Sequence, residues 1–172
     1  MVIYRSQKNM EARNMEDSEK NQCEPTNNLE NYLLILPCSN SKKNITSSRV
    51  IDIYDGPVFQ IPRKCNSNNI DLLILSEKYG IHVGTKIISS YDLKMTPERA
   101  RILKHKAQFV LRTYLKINNY RKILINLGKN YRFIVECCNF QPNVDVKSEF
   151  LYGLIGLRIK NLKNCLLEIR GK

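Results

Sequence analysis

Beyond residue 31 the chain is punctuated by short, unbroken apolar runs. Residues 32–36 read Tyr-Leu-Leu-Ile-Leu, residues 70–75 end in Leu-Leu-Ile-Leu, and residues 122–127 contain Ile-Leu-Ile. Apolar residues at successive rather than alternate positions mark strands covered on both faces. Each run stops at polar or turn-forming residues: Pro37 to Lys43, Ser76, and Gly128. Three such strands separated by helix-length segments predict a parallel sheet with crossover helices.

The clearest helix follows Thr96-Pro97, because threonine is a good N-cap and proline suits the first helical position. Leu103, Ala107, Val110, Leu111 and Tyr114 then form one apolar stripe at helical spacing. Shorter helices are predicted over 50–62, interrupted near Gly56-Pro57, and from Lys129 through Tyr131 to Cys138. A last helix is predicted over 149–167, where Gly153 and Gly156 allow close packing. Residues 1–31 are polar, without a hydrophobic period, and read as a flexible arm that cannot offset its own chain entropy. The expected organisation is that arm followed by a single α/β domain over 32–172. Its expected architecture is a three-layer sandwich around a mainly parallel sheet.

Charge sharpens this picture. The net charge is +12, yet residues 1–31 carry four basic and six acidic side chains, so residues 32–172 alone balance at +14. A field of that sign attracts polyanions. Asn, Ile and Lys enrichment also fits an AT-rich genome, under which the lysines serve solubility. No apolar run approaches the ~20 residues of a membrane span, and the first 30 residues lack a signal-peptide core, so a cytoplasmic location without membrane contact is expected. The six cysteines, at 23, 38, 65, 137, 138 and 165, show no Cys-x-x-Cys spacing. They read as small buried residues in a reducing compartment, and neither a metal nor another cofactor is expected.

In open parallel sheets ligands bind where the carboxyl ends of the strands open into a crevice. Three polar clusters fall there: residues 37–42, 76–80 and 128–131. Ser39 and Lys42 in the first, and Ser76, Lys78 and Tyr79 in the second, are candidate ligand contacts, because hydroxyls, backbone N–H groups and lysines hold phosphate or carboxylate. The same serines serve equally well as turn caps. The first loop is not a Walker loop, since its Gly-Lys-Ser/Thr ending is missing. Cys38 is a nucleophile if a cation such as Lys42 lowers its pKa, and otherwise a strand-end cysteine packed beneath the loop. Asp92, in Ser-Tyr-Asp-Leu after a glycine-containing loop, is either a general base or an aspartate that fixes the loop through backbone N–H groups. A Lys42–Asp92 contact, or an open wet cleft between the two, is expected.

Five motifs in order resemble an uncharacterised domain family of bacterial, phage and archaeal proteins, some of them labelled peroxide-stress proteins of the YaaA type. They are Cys38-Ser39 with Lys42, Tyr54-Asp55-Gly56-Pro57-Val58-Phe59, Ile74 to Gly80, Ser90 to Leu93, and Gly153 to Ile159. The resemblance covers about residues 32–165 and adds Tyr54 to the candidate contacts. Pro37, Cys38, Lys42 and Ser47 also match the spacing of a motif of archaeosine synthase, which adds an amine to a deazaguanine base in transfer RNA. Lys43 and Asn44 replace that motif's Pro-Tyr, and Val50 stands where its histidine falls. That similarity implies a fold like uracil-DNA glycosylase and a nucleobase-related site.

Two functions therefore stand side by side. One is a domain that binds or modifies a nucleobase, nucleotide or nucleic acid, with Asp92 and Cys38 as catalytic candidates. The other is a non-catalytic, basic nucleic-acid-binding or stress-response accessory protein, using Arg101, Lys104, Arg112 and Lys116 on the helix after Pro97.

Overall fold

Along the strand β1 (Tyr32–Pro37), side chains alternate between two separate cores. Leu33 and Ile35 enter one, while Tyr32, Leu34 and Leu36 enter the other. A strand shows this behaviour when both faces of its sheet are covered, so its apolar run has no polar interruption. The computed structural model describes residues 31–65, 69–136, 138, 140 and 146–170. The arm inferred over 1–31 lies outside them except for Asn31.

Among the described residues the main sheet has five strands in the order β4-β3-β1-β6-β7. β3 (Ile70–Ser76) and β6 (Lys122–Ile125) flank β1, both parallel to it. β7 (Lys147–Phe150) adds in parallel beyond β6, and β4 (Gly80–Val83) folds back antiparallel on β3. The fold is thus mixed α/β with a mostly parallel central sheet. A small antiparallel ribbon joins β2 (Ser47–Arg49) to β5 (Ile87–Ser89).

Helices cover both faces. α3 (Pro97–Ile117) and α4 (Lys129–Val135) pack on the Leu33/Ile35 face through Leu103, Ala107, Leu111 and Ile134. α1 (Val50–Ile53), α2 (Pro57–Cys65) and α5 (Ile155–Arg170) cover the opposite face through Ile53, Phe59, Leu162 and Leu166. The α3 start follows its sequence signal, with the Thr96 side chain accepting from the Arg99 N–H at 3.1 Å.

The last helix is a correction. Glu149 lies in β7, and helix begins only at Ile155. Lys-Ser-Glu-Phe is a short strand at the end of the sheet, and Lys122 of β6 holds Glu149 at 2.6 Å. Gly153, at φ 105°, makes the turn between strand and helix. The helix expected over 50–62 is indeed broken, at residues 54–56.

Strand order reverses at one point of the sheet. The chain leaves β1 for β3 on one side, then returns to place β6 on the other. The loops after β1 and β6 therefore leave toward opposite faces. The carboxyl ends of these two strands meet at that reversal, the point at which open α/β sheets commonly bind ligands.

Candidate functional site

The turn after β3 carries the central group. Glu77 follows Ser76 at the strand end and is wholly buried. A buried carboxylate is costly unless hydrogen-bonded or paired. Its side-chain partners come from two other segments. The Cys38 thiol, from the loop after β1, donates to Oε2. The Tyr91 hydroxyl, from the loop after β5, donates to Oε2 at 2.8 Å. Lys42 Nζ lies 3.5 Å from Oε1 with its side chain almost wholly buried. The turn itself is pinned by Arg99, which donates to the Glu77 carbonyl at 2.6 Å and to the Lys78 carbonyl at 3.3 Å.

Counting protons orients the rest of the cluster. Tyr91 spends its single proton on Glu77, so the Tyr54 and Ser76 hydroxyls, each 2.7 Å from it, donate to its oxygen. Ser76 Oγ also accepts the N–H groups of Lys78 and Tyr79 at 3.2 and 3.1 Å, capping the turn. Cys38 gives its proton to Glu77, so the Tyr131 hydroxyl, 3.0 Å from the sulfur, donates to it. Tyr131 belongs to α4, after β6. The cluster thus bridges the segments that follow β1 and β6.

Electrostatics follow from burial. Desolvation first, and the Glu77 charge second, push the Cys38 thiol up to about 12, while the Tyr131 hydrogen bond pulls it down. Burial likewise raises Tyr54, Tyr91 and Tyr131 well above the usual phenol range. At neutral pH the resting sulfur is a thiol. A thiol that donates to a buried carboxylate has the geometry of a nucleophile beside a base.

The structure brings together Cys38, Lys42, Tyr54 and Ser76 from the sequence candidates. Lys42 Nζ also lies 4.5 Å from the centre of the Tyr91 ring. Lys78 and Tyr79 stand at the margin. Lys78 Nζ is 5.1 and 5.6 Å from the Tyr79 and Tyr91 ring centres, and the two rings meet edge to face at 5.3 Å. Ser39 Oγ accepts from the Ser41 N–H at 3.2 Å. Asp92 is exposed, and the carboxylate facing Lys42 is Glu77. Sequence reasoning named the Ser76–Gly80 cluster but passed over Glu77, and it missed Arg99. The available signal for Glu77 was a carboxylate directly continuing a buried strand.

On α3, Arg101, Arg112 and Lys116 are exposed. Arg101 lies 3.6 Å from Glu98, and Lys104 Nζ sits 4.4 Å above the Phe133 ring. Among the described residues no group of three His, Cys, Asp or Glu side chains is placed to hold a metal ion, and no helix is long and apolar enough to cross a membrane.

The model of a family of unknown function, DUF6884, matches residues 33–164. No curated protein matches the chain. A solved crystal structure, itself of a protein of unknown function, is similar at 15% identity with a TM-score of 0.49. The match covers 80% of this chain and 44% of the other, so this chain spans less than half the length of that protein.

Proposed function

The chain belongs to that family of unknown function, and we propose that it binds a nucleobase-bearing ligand at the β1–β6 crevice and modifies it through Cys38 and Glu77. The supporting observation is the thiol that donates to a buried carboxylate where the strand order reverses. In the proposed step, Cys38 Sγ bonds to an electrophilic carbon of the base as its proton passes to Glu77. The displaced electron pair settles on a ring or exocyclic nitrogen, and Glu77 returns the proton there. Tyr131 stabilises the sulfur as charge develops on it. Tyr79 offers a stacking face, worth roughly 1–3 kcal/mol per base, and Lys42 and Lys78 supply positive charge. In this reading Asp92, exposed beside Tyr91, meets a ring N–H or water from the rim. Similarity to archaeosine synthase and the uracil-DNA glycosylase fold points toward deazaguanine- or glycosylase-related chemistry.

Intact-protein mass spectrometry with a panel of nucleosides, nucleotides and deazaguanines tests this. A ligand-mass adduct or turnover is expected for the wild type, with loss in Cys38→Ser and strong reduction in Glu77→Gln. Unchanged turnover in Cys38→Ser would sink the proposal.

A second reading rests on α3. Arg101, Lys104, Arg112 and Lys116 fall within about 120° of helix circumference at about 100° per residue, beside the buried Leu103–Ala107–Leu111 stripe. This is the footprint of a basic accessory protein that holds nucleic acid without chemistry. Its affinity for duplex DNA should fall with salt at a log–log slope of about −0.9 per neutralised phosphate. Salt-independent binding would exclude it.

A further inference from the structure

Next to the Cys38 cluster, the carboxyl ends of β6 and β7 hold two arginines. Arg132, directly after Tyr131 on α4, places its guanidinium 4.5 Å over the Tyr152 ring and reaches the Leu127 carbonyl at 3.5 Å. Arg158, in the first turn of α5, donates to the buried Asn126 Oδ1 at 3.2 Å. Arg158 Nη2 lies 3.8 Å from where a side chain on Gly128 would begin, so the guanidinium runs past the start of α4. Its Nε is buried without a hydrogen-bond partner. Among the described residues no carboxylate pairs with either guanidinium.

This arrangement is unfavourable in the protein alone. Burial first, and the neighbouring Arg132 charge second, lower the Arg158 pKa. The Arg158 Nε, a buried donor without an acceptor, carries a desolvation cost. Two guanidinium forks that, among the described residues, pair with no carboxylate match the oxygens of a tetrahedral oxyanion, which arginine binds in bidentate fashion.

We propose that Arg132 and Arg158 form a phosphoryl-binding subsite, so that the ligand at the crevice is a nucleoside phosphate rather than a free base. The nucleoside half of this assignment rests on the function proposed above; the anion subsite stands on the arginines alone. Tyr131 and Arg132 are consecutive residues of α4, so one short helix presents a hydroxyl to the Cys38 sulfur and a guanidinium to the phosphate. The phosphate would anchor the ligand while the base meets Cys38.

The test uses the full chain at constant ionic strength, with inorganic phosphate and a nucleoside 5′-monophosphate compared against its nucleoside. Phosphate is expected to raise the melting temperature of the wild type and not of Arg132→Gln or Arg158→Gln. The monophosphate is expected to bind at least about tenfold tighter than the nucleoside, and each substitution should erase that preference. Arg158→Lys keeps the charge without the fork and should retain part of the phosphate shift. It also guards against misreading a folding defect, as does circular dichroism of each variant. Cys38→Ser should keep the full phosphate response, so a failure of the thiol chemistry is distinguishable from a failure of this subsite. A wild type indifferent to phosphate overturns the subsite, and so does a phosphate shift that survives in folded Arg132→Gln/Arg158→Gln.

Discussion

Tyr131 Oη lies 3.0 Å from Cys38 Sγ, although 93 residues separate them in sequence. The hydroxyl donates to a sulfur whose own proton is held by Glu77. The two partners therefore act in opposite directions on the thiol: the Glu77 charge opposes ionisation, and the Tyr131 hydrogen bond favours it.

Glu77→Gln should thus raise the resting thiolate fraction of Cys38 while removing the base that the proposed reaction needs. Alkylation by iodoacetamide at pH 8, followed by intact mass with Cys38→Ser as background, should speed up by about tenfold for each pKa unit recovered. Tyr131→Phe should slow it. Equal rates in all three proteins would show that burial alone governs the sulfur.

Alkaline stability follows from the same cluster. Cys38 titrates near 9 when unfolded and at about 12 when folded, and Tyr54, Tyr91 and Tyr131 are also shifted upward. Above pH 9 the native state then binds more protons than the unfolded chain, so stability falls as pH rises. Each group charged only in the unfolded state contributes at most about 1.4 kcal/mol per pH unit. Urea midpoints at pH 7, 9 and 10.5 should drop progressively, and Tyr54→Phe/Tyr91→Phe should flatten the decline. A midpoint constant to pH 10.5 would contradict it.

His82 contributes to the acid side. Burial, then the Lys86 and Lys106 charges, lower its pKa to about 4. Lys86 Nζ lies 3.3 Å from Nδ1 and can donate to the neutral ring, leaving Nε2 to carry the proton without a partner. Between pH 6.5 and 4 the unfolded chain takes up a proton that the native state refuses, so stability should fall as pH falls through that window. His82→Asn should remove this part of the acid limb in chemical denaturation. An acid limb identical to that of the wild type would assign it to other groups.

How much of this was legible in sequence depends on where the information lies. β1 and α3 were readable because burial on both faces, or a capped apolar stripe, is written locally. β7 was not, because Lys147–Phe150 becomes a strand through pairing with β6 and the Lys122–Glu149 contact. The three strand-end clusters correctly mark one edge of the sheet. The identity of the central carboxylate could not be read there, since Glu77 is defined by Cys38, Lys42 and Tyr91, each from a distant segment. Asp92 has the right chemistry in the sequence, but its neighbour Tyr91 is the residue turned toward the cluster.

Gly56 offers a test of how the Cys38 loop is held. Residues 38–43 are tied to 53–55 by the Lys42–Tyr54 bridge, by the Asp55 N–H to the Ser41 carbonyl at 3.0 Å, and by the Lys43 N–H to the Ile53 carbonyl at 2.8 Å. A Cβ on Gly56 would stand 2.5 Å from Ser39 Oγ and 3.1 Å from Ser39 Cβ. Glycine is needed here for close approach, and Ser39 adjoins the Cys38 backbone. In Gly56→Ala the Ser39 hydroxyl must turn away and its Cβ must yield slightly, with a loss of about 1 kcal/mol, the low end for overpacking. Shortening the opposing side chain should reverse the loss, because Ser39→Gly removes both clashing atoms. The two substitutions should therefore be strongly non-additive in a double-mutant cycle read by urea denaturation. The iodoacetamide rate of Cys38 should move with Gly56→Ala and return in Ser39→Gly/Gly56→Ala. A Gly56→Ala protein as stable as the wild type would disprove the close approach. A loss that Ser39→Gly cannot relieve would place the strain in the Gly56 backbone instead of at this contact.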